Sequence, residues 1–163
     1  MSAATRATKA LSAAGIDHTV HAYDYDPGAD RVGLQAAEAL GESPARVLKT
    51  LMVRVDGKPV CVMVPSDREV SMKKLASALR GKSAEMMPPA DAERLTGYKV
   101  GGISPFGQMK RVPVVLEAGA MGHERVYLNG GQRGLQVRMT PVDLARALTA
   151  IVASVVASGG GGE

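Results

Sequence analysis

"VLKTLMVRVDGKPVCVMVPS", residues 47–66, is two runs of aliphatic and β-branched residues separated by Asp56-Gly57. Asp-Gly between such runs predicts a hairpin, because a two-residue turn with positive φ matches the twist of the flanking strands. Side chains alternate along a strand, so Leu48, Thr50, Met52 and Arg54 share one face of the first run. Lys49, Leu51, Val53 and Val55 share the other. Lys49 therefore falls on a mostly apolar face, where a lone ammonium is unfavourable. Two readings follow: a lysine whose stem lies along the sheet with its head in water, or a fixed cation for an anionic or carbonyl group.

Working outward, residues 5–15 have helical spacing at Ala7, Leu11 and Ala14, with Gly15 suited to a helix end. Residues 17–23 alternate as a strand, "GADRVG" (28–33) punctuates, and residues 34–41 read as a short helix. On the other side, residues 71–81 read as a helix capped by Ser71 and stopped by Gly81, and residues 83–87 as a short strand. Residues 89–97 read as a helix with Pro89 in its first turn. Residues 111–119 form a strand, and "RVYLNGGQRGLQVRM" (125–139) a second hairpin turning on Asn129-Gly130-Gly131. A long helix over 140–157, capped by Thr140 with Asp143 three residues on, closes the chain before a Gly-rich tail at 158–163.

Hairpin pairs mixed with short helices imply an α/β or α+β domain with a mixed or antiparallel sheet, spanning residues 1–157. Regular βαβ alternation is missing, which argues against a doubly wound nucleotide fold. The 163 residues suit one core. Aromatic residues number four tyrosines and one phenylalanine, so Val, Leu, Ile, Met and Ala must fill it. A net charge of +4 permits a polyanionic partner without demanding one. One cysteine, Cys61, leaves no internal disulfide and points to a reducing, cytoplasmic setting. No apolar run reaches the length of a membrane span, so no membrane partner is expected.

The candidates for chemistry are few. His18, His21 and His123 are scattered and Cys61 stands alone, so no metal and no cofactor is expected. Cys61 sits in "VCVMV", the setting of a buried, inert thiol. "GYKVGGISPFGQMKR" (97–111) carries Ser104, but it lacks the nucleophile-elbow spacing, and Pro105 removes a backbone N–H that an oxyanion hole would use. What remains is Lys49 and two Gly-rich loops, at 101–107 and 129–134. Glycines suit tight turns, and equally let a backbone approach a ligand and offer its own N–H and C=O groups.

Together "HAYDYDP" (21–27), "VLKTLMV" (47–53), "LTGYKVGGISPFGQMKR" (95–111) and "VYLNGGQRGLQV" (126–137) resemble the YbaK/EbsC family. These are free-standing aminoacyl-tRNA deacylases related to the editing domain inserted in some prolyl-tRNA synthetases. The resemblance implies a six-stranded, barrel-like mixed sheet wrapped by helices. It implies hydrolysis of the ester that joins a wrong amino acid to tRNA, with Cys-tRNA(Pro) as the substrate of the best-known type. There the substrate's own thiol attacks its ester carbonyl, so no protein nucleophile is needed. It further implies mischarged tRNA as partner, with prolyl-tRNA synthetase as a possible second one, and no DNA.

Residue by residue, Lys49 matches the family's catalytic-site lysine, with Thr50 beside it. Tyr23 matches a pocket-lining tyrosine. Gly101, Gly102, Ile103, Ser104 and Pro105 match a G-x-x-x-P loop whose backbone meets the terminal ribose and aminoacyl carbonyl. Asn129, Gly130, Gly131, Arg133 and Gln136 match the second loop and its flanks. Three positions depart: Gln136 stands where cysteine-specific members carry aspartate, Val32 where phenylalanine is frequent, and Asn129 where serine is common. The alternatives are a deacylase for another small residue (Ala, Ser or Thr), or a module that binds a nucleotide or tRNA acceptor end without turnover.

Overall fold

The structure is a computed structural model that describes residues 4–27 and 32–158, with the backbone alone for residues 32 and 33. The expected punctuation at 28–31, the side chain of Val32 and the tail at 159–163 lie outside the described residues. In chain order the elements are α1 (Arg6–Ala13), β1 (Thr19–Ala22), α2 (Val32–Leu40), β2 (Leu48–Val55), β3 (Lys58–Pro65), α3 (Met72–Ala78) and β4 (Ala84–Met86). There follow α4 (Pro89–Thr96), β5 (Val114–Glu117), β6 (Val126–Asn129), β7 (Leu135–Met139), α5 (Pro141–Leu148) and β8 (Ile151–Ala153).

The β2–β3 hairpin forms in the register the sequence predicts. Val55 pairs with Lys58, and Asp56 and Gly57 both take positive φ, 50° and 83°. This hairpin organises the larger sheet, ordered β4-β2-β3-β5-β8, in which β3–β5 and β5–β8 run parallel. The second sheet is antiparallel, ordered β1-β7-β6. The alternation read in the first strand decides the layers. Leu48 and Met52, with Cys61 and Met63 of β3, face a core shared with α1, α5 and the smaller sheet. Val53 and Val55, with Val60, Val62 and Val64, face a second core under α3. Helix caps follow the sequence too: Ser71 and Thr140 accept the backbone N–H groups of Lys74 and Asp143.

Three expectations change. The strands do not close into a six-stranded barrel. Among the described residues they form the two sheets above, joined by a single parallel bridge, Val47 to Tyr127. The final helix stops at Leu148, where Thr149 turns left-handed (φ 50°). The β-branched run Ile151–Ala153 then pairs beside β5, because strand pairing satisfies its backbone better than a helix of stiff side chains. After α3 the left-handed residue is Arg80 (φ 57°), and Gly81 is instead required by space. A Cβ there would lie 2.6 Å from Val55 Cγ1. No helix of the described residues is long and apolar enough to cross a membrane.

Candidate functional site

The site arises where the two sheets part. The backbone bridges toward β6 at Val47–Tyr127, just before β2 begins, and β2 pairs with β4 only from Val53 onward. Between these points one edge of Leu48–Met52 borders a cavity of about 290 Å³. The Met52 carbonyl accepts the Met87 N–H (3.1 Å) and the Asp56 N–H donates to Ser83 (3.0 Å), both on that side of β2. Backbone groups alternate between edges in an antiparallel strand, so Thr50, of the same parity, turns its N–H and C=O toward the cavity edge.

The structure brings six of the sequence-derived residues to this cavity: Lys49, Thr50, Gly101, Ile103, Asn129 and Gln136. Lys49 sits at the wetter end of its apolar face, its side chain 21% exposed. Its ammonium lies 3.4 Å from the carboxylate of Glu69, which is 67% exposed. The ammonium is thus paired to a group that water can still reach. The hydroxyl of Thr50 and the carbonyl oxygen of the Gln136 side chain are buried there without a hydrogen-bond partner. Tyr23 stands beside Gln136 but outside the cavity lining, and its buried hydroxyl meets the Gly134 backbone and the Gln136 amide without full hydrogen-bond geometry. Burial pushes the Tyr23 hydroxyl above its ordinary pKa, partly offset by the Gly134 backbone and the neighbouring Gln136 amide. Buried polar groups are nearly always satisfied, so two orphans on residues of one cavity wall make that cavity the candidate place for a ligand.

The remaining residues build the wall from behind. Asn129, buried, joins the two Gly-rich loops: its Nδ2 donates to the Gly101 carbonyl (3.0 Å) and its Oδ1 accepts from Gly131 N–H (2.7 Å). Arg133 donates from Nε and Nη2 to the Val100 carbonyl (3.0 and 2.7 Å). Gly102 lets the loops close up, since a Cβ there would lie 3.0 Å from the backbone of Gln132 and Arg133. Gly130 donates to Leu135, and its carbonyl accepts from Thr5 Oγ1. Ser104 and Pro105 are fully packed below the loop rather than in the cavity wall. Ser104 Oγ accepts from Phe106 N–H (3.1 Å), and Pro105 lines a separate depression with Arg111 and Leu148.

Sequence reasoning missed the apolar half of the site. Met86 of β4, Met87 directly after it, and Pro89 and Ala92 of α4 line the same cavity as Lys49. Their signal, "MMPPA" at 86–90, reads locally as no more than a strand running into a helix start. Two nucleophile candidates are placed out of reach. Cys61 is fully buried, its thiol pushed up to about 12 by desolvation, and the Ser104 hydroxyl is buried. The cavity offers one cation, hydrogen-bonding groups of backbone and side chain, and an apolar wall. It suits holding a small acyl group in position.

A family profile described as an aminoacyl-tRNA editing domain matches residues 26–147. A protein of Enterococcus faecalis named as the Cys-tRNA(Pro)/Cys-tRNA(Cys) deacylase EbsC is 36% identical over 122 residues, covering 73% of this chain and 74% of that one. A proline–tRNA ligase of Acidithiobacillus ferrooxidans is 33% identical over 96 residues, which cover 59% of this chain and 17% of the ligase. Among solved structures, one described as a trans-editing enzyme for prolyl-tRNA synthetase superposes with a TM-score of 0.83 at 24% identity, covering 97% of this chain and 99% of that one. The matched segment includes Lys49 and both Gly-rich loops, and by that match and the identity the chain belongs to the aminoacyl-tRNA editing domain family.

Proposed function

We propose that the protein is a free-standing deacylase that removes a small wrong amino acid from tRNA, with Cys-tRNA(Pro) as its substrate. The observation that carries this reading is the cavity beside Lys49, with the unpartnered Thr50 hydroxyl and Gln136 carbonyl inside it. At about 290 Å³ it has room for a small aminoacyl group together with part of the sugar that carries it. Near-isosteres such as cysteine and proline are poorly separated by a single apolar pocket, which is the physical need for a second, editing site.

In this reading Lys49 exchanges its exposed partner Glu69 for an oxygen of the substrate's terminal nucleotide or ester. Thr50 and Gln136 fix the aminoacyl group, and the loop at Gly101–Ile103 closes over it. With cysteine as the acyl group, the substrate sulfur bonds to the ester carbonyl carbon and the bond from that carbon to the ribose oxygen breaks. The thiol proton passes to that oxygen, and free tRNA leaves beside a cyclic thioester. The protein's part is positioning and charge stabilisation. The tRNA(Pro) identity comes from hand-over by prolyl-tRNA synthetase, since a net charge of +4 offers only a mild general attraction to tRNA.

A second reading is favoured by Gln136, a neutral amide at the cavity where an aspartate is expected of cysteine-specific members. In it the substrate is Ala-, Ser- or Thr-tRNA and a positioned water takes the place of the thiol. Incubating the purified protein with Cys-, Ala- and Ser-tRNA(Pro) separates the two. Release of cysteine alone supports the first, release of alanine or serine the second, and release of none overturns both.

A further inference from the structure

We propose that Tyr25 and Arg133 form a stacking platform for the terminal nucleobase of an RNA 3′ end, at the rim of the cavity. The Arg133 guanidinium lies over the Tyr25 ring, 5.6 Å from its centroid. Two of its nitrogens are held on the Val100 carbonyl, so the plane of the cation is fixed by three contacts while the residue stays exposed. Tyr25 belongs to none of the three apolar clusters and is only half buried, so its ring is not core filling.

Both residues adjoin the cavity wall. Val100 and Gly101 line the cavity, and the Tyr25 hydroxyl comes within 3.7 Å of where a Cβ on Gly101 would sit. Val100 itself is 40% exposed and extends the apolar surface outward. A cation held over a partly exposed aromatic ring is the kind of surface on which nucleobases stack without regard to sequence. The connectivity of an aminoacylated ribose leads to the same place. The ester and the base leave the sugar on different carbons, so an acyl group in the cavity puts the base one ribose away, at the rim. This inference deepens the deacylase reading, on which the choice of a 3′-terminal base rests.

The test uses binding of uncharged RNA, which does not depend on turnover. The trinucleotide CCA and the same RNA with an abasic 3′-terminal position are titrated into the full chain and into Tyr25→Phe, Tyr25→Leu and Arg133→Lys. The wild type is expected to prefer CCA by about tenfold or more, the scale of one base–aromatic stack. Tyr25→Phe keeps the preference. Tyr25→Leu and Arg133→Lys bring the two ligands to equal affinity, because the first removes the π face and the second the plane while keeping the charge. A ratio between two ligands on one protein is insensitive to partial unfolding. Absence of the preference in the wild type, or its survival in either Tyr25→Leu or Arg133→Lys, overturns the platform. A wild type that shows the preference yet deacylates no aminoacyl-tRNA retains the platform and loses the deacylase reading.

Discussion

Lys49 is the residue at which stability and function pull apart. Strand alternation puts it on a face otherwise made of Leu51, Val53 and Val55, and it avoids an uncompensated charge by reaching Glu69 at the wetter end. The pair is half in water and contributes on the order of 0–1 kcal/mol. Lys49→Ala is therefore expected to leave the melting temperature nearly unchanged. Deacylation should fall by about 10²–10³-fold, the loss when one electrostatic contact to a reacting group is removed. Thermal unfolding beside single-turnover kinetics checks both halves, and retained activity would mean the lysine is only structural. Cys61 is the converse case. Its thiol is sealed among apolar neighbours, with the Gln108 amide near it at 3.8 Å. Cys61→Ser should lower stability by about 1–3 kcal/mol, the scale of burying a poorly satisfied hydroxyl. Its kcat/KM should stay at the wild-type value, whereas complete loss would revive a protein nucleophile.

The two Gly-rich loops act as one element because side chains stitch them together across the sheet gap. Asn129 and Arg133 take two consecutive carbonyls of the first loop, and Gly102 lets the backbones meet. Gly102→Ala would press a methyl against backbone atoms that cannot swing away. We expect it to destabilise by about 1–3 kcal/mol and to lower kcat/KM on the order of 10- to 100-fold by displacing the wall. A loss of stability with unaltered kinetics would show that the loops do not position substrate. At the far end of the chain, Thr149 holds a left-handed conformation that a β-branched residue adopts only under strain. Thr149→Gly relieves that strain and adds some freedom to the unfolded chain, for a net gain of about 0.5–1 kcal/mol. Urea unfolding measures it, and a destabilised variant would mean that Thr149 makes a compensating contact.

At the scale of the molecule, one acid-sensitive ion pair ties β2 to α4. Asp91 accepts from Arg54 at 2.8 Å and also bonds Arg94, and the Arg54 hydrogen bond in particular holds its carboxyl below the ordinary value of 3.8. A depressed carboxyl contributes stability that is present above the unfolded pKa and lost as pH falls through the folded one. Arg54→Met should therefore be less stable than wild type at pH 7, with the difference shrinking below pH 4. Unfolding curves across that range check it, and a pH-independent difference would assign Arg54 to packing instead. Much of this architecture was legible in residues 47–66, since turn chemistry and period-two alternation are local properties. The caps at Ser71 and Thr140 and the inert Cys61 were legible for the same reason. The sequence pattern carries the last helix too far because a run such as "AIVASVVA" suits helix or strand alike, and the edge of β5 makes it a strand. By itself the sequence determined the hairpin, the two faces of β2, the Gly-rich loops and the isolation of the lone thiol, all set by neighbours a few residues apart. The tertiary structure alone decided that backbone pairing toward β6 ends at Val47, that Met86 and Met87 line the same cavity as Lys49, and that Asn129 and Arg133 fasten the loops. Those contacts join segments tens of residues apart, and no local pattern encodes which of several compatible packings leaves a cavity open.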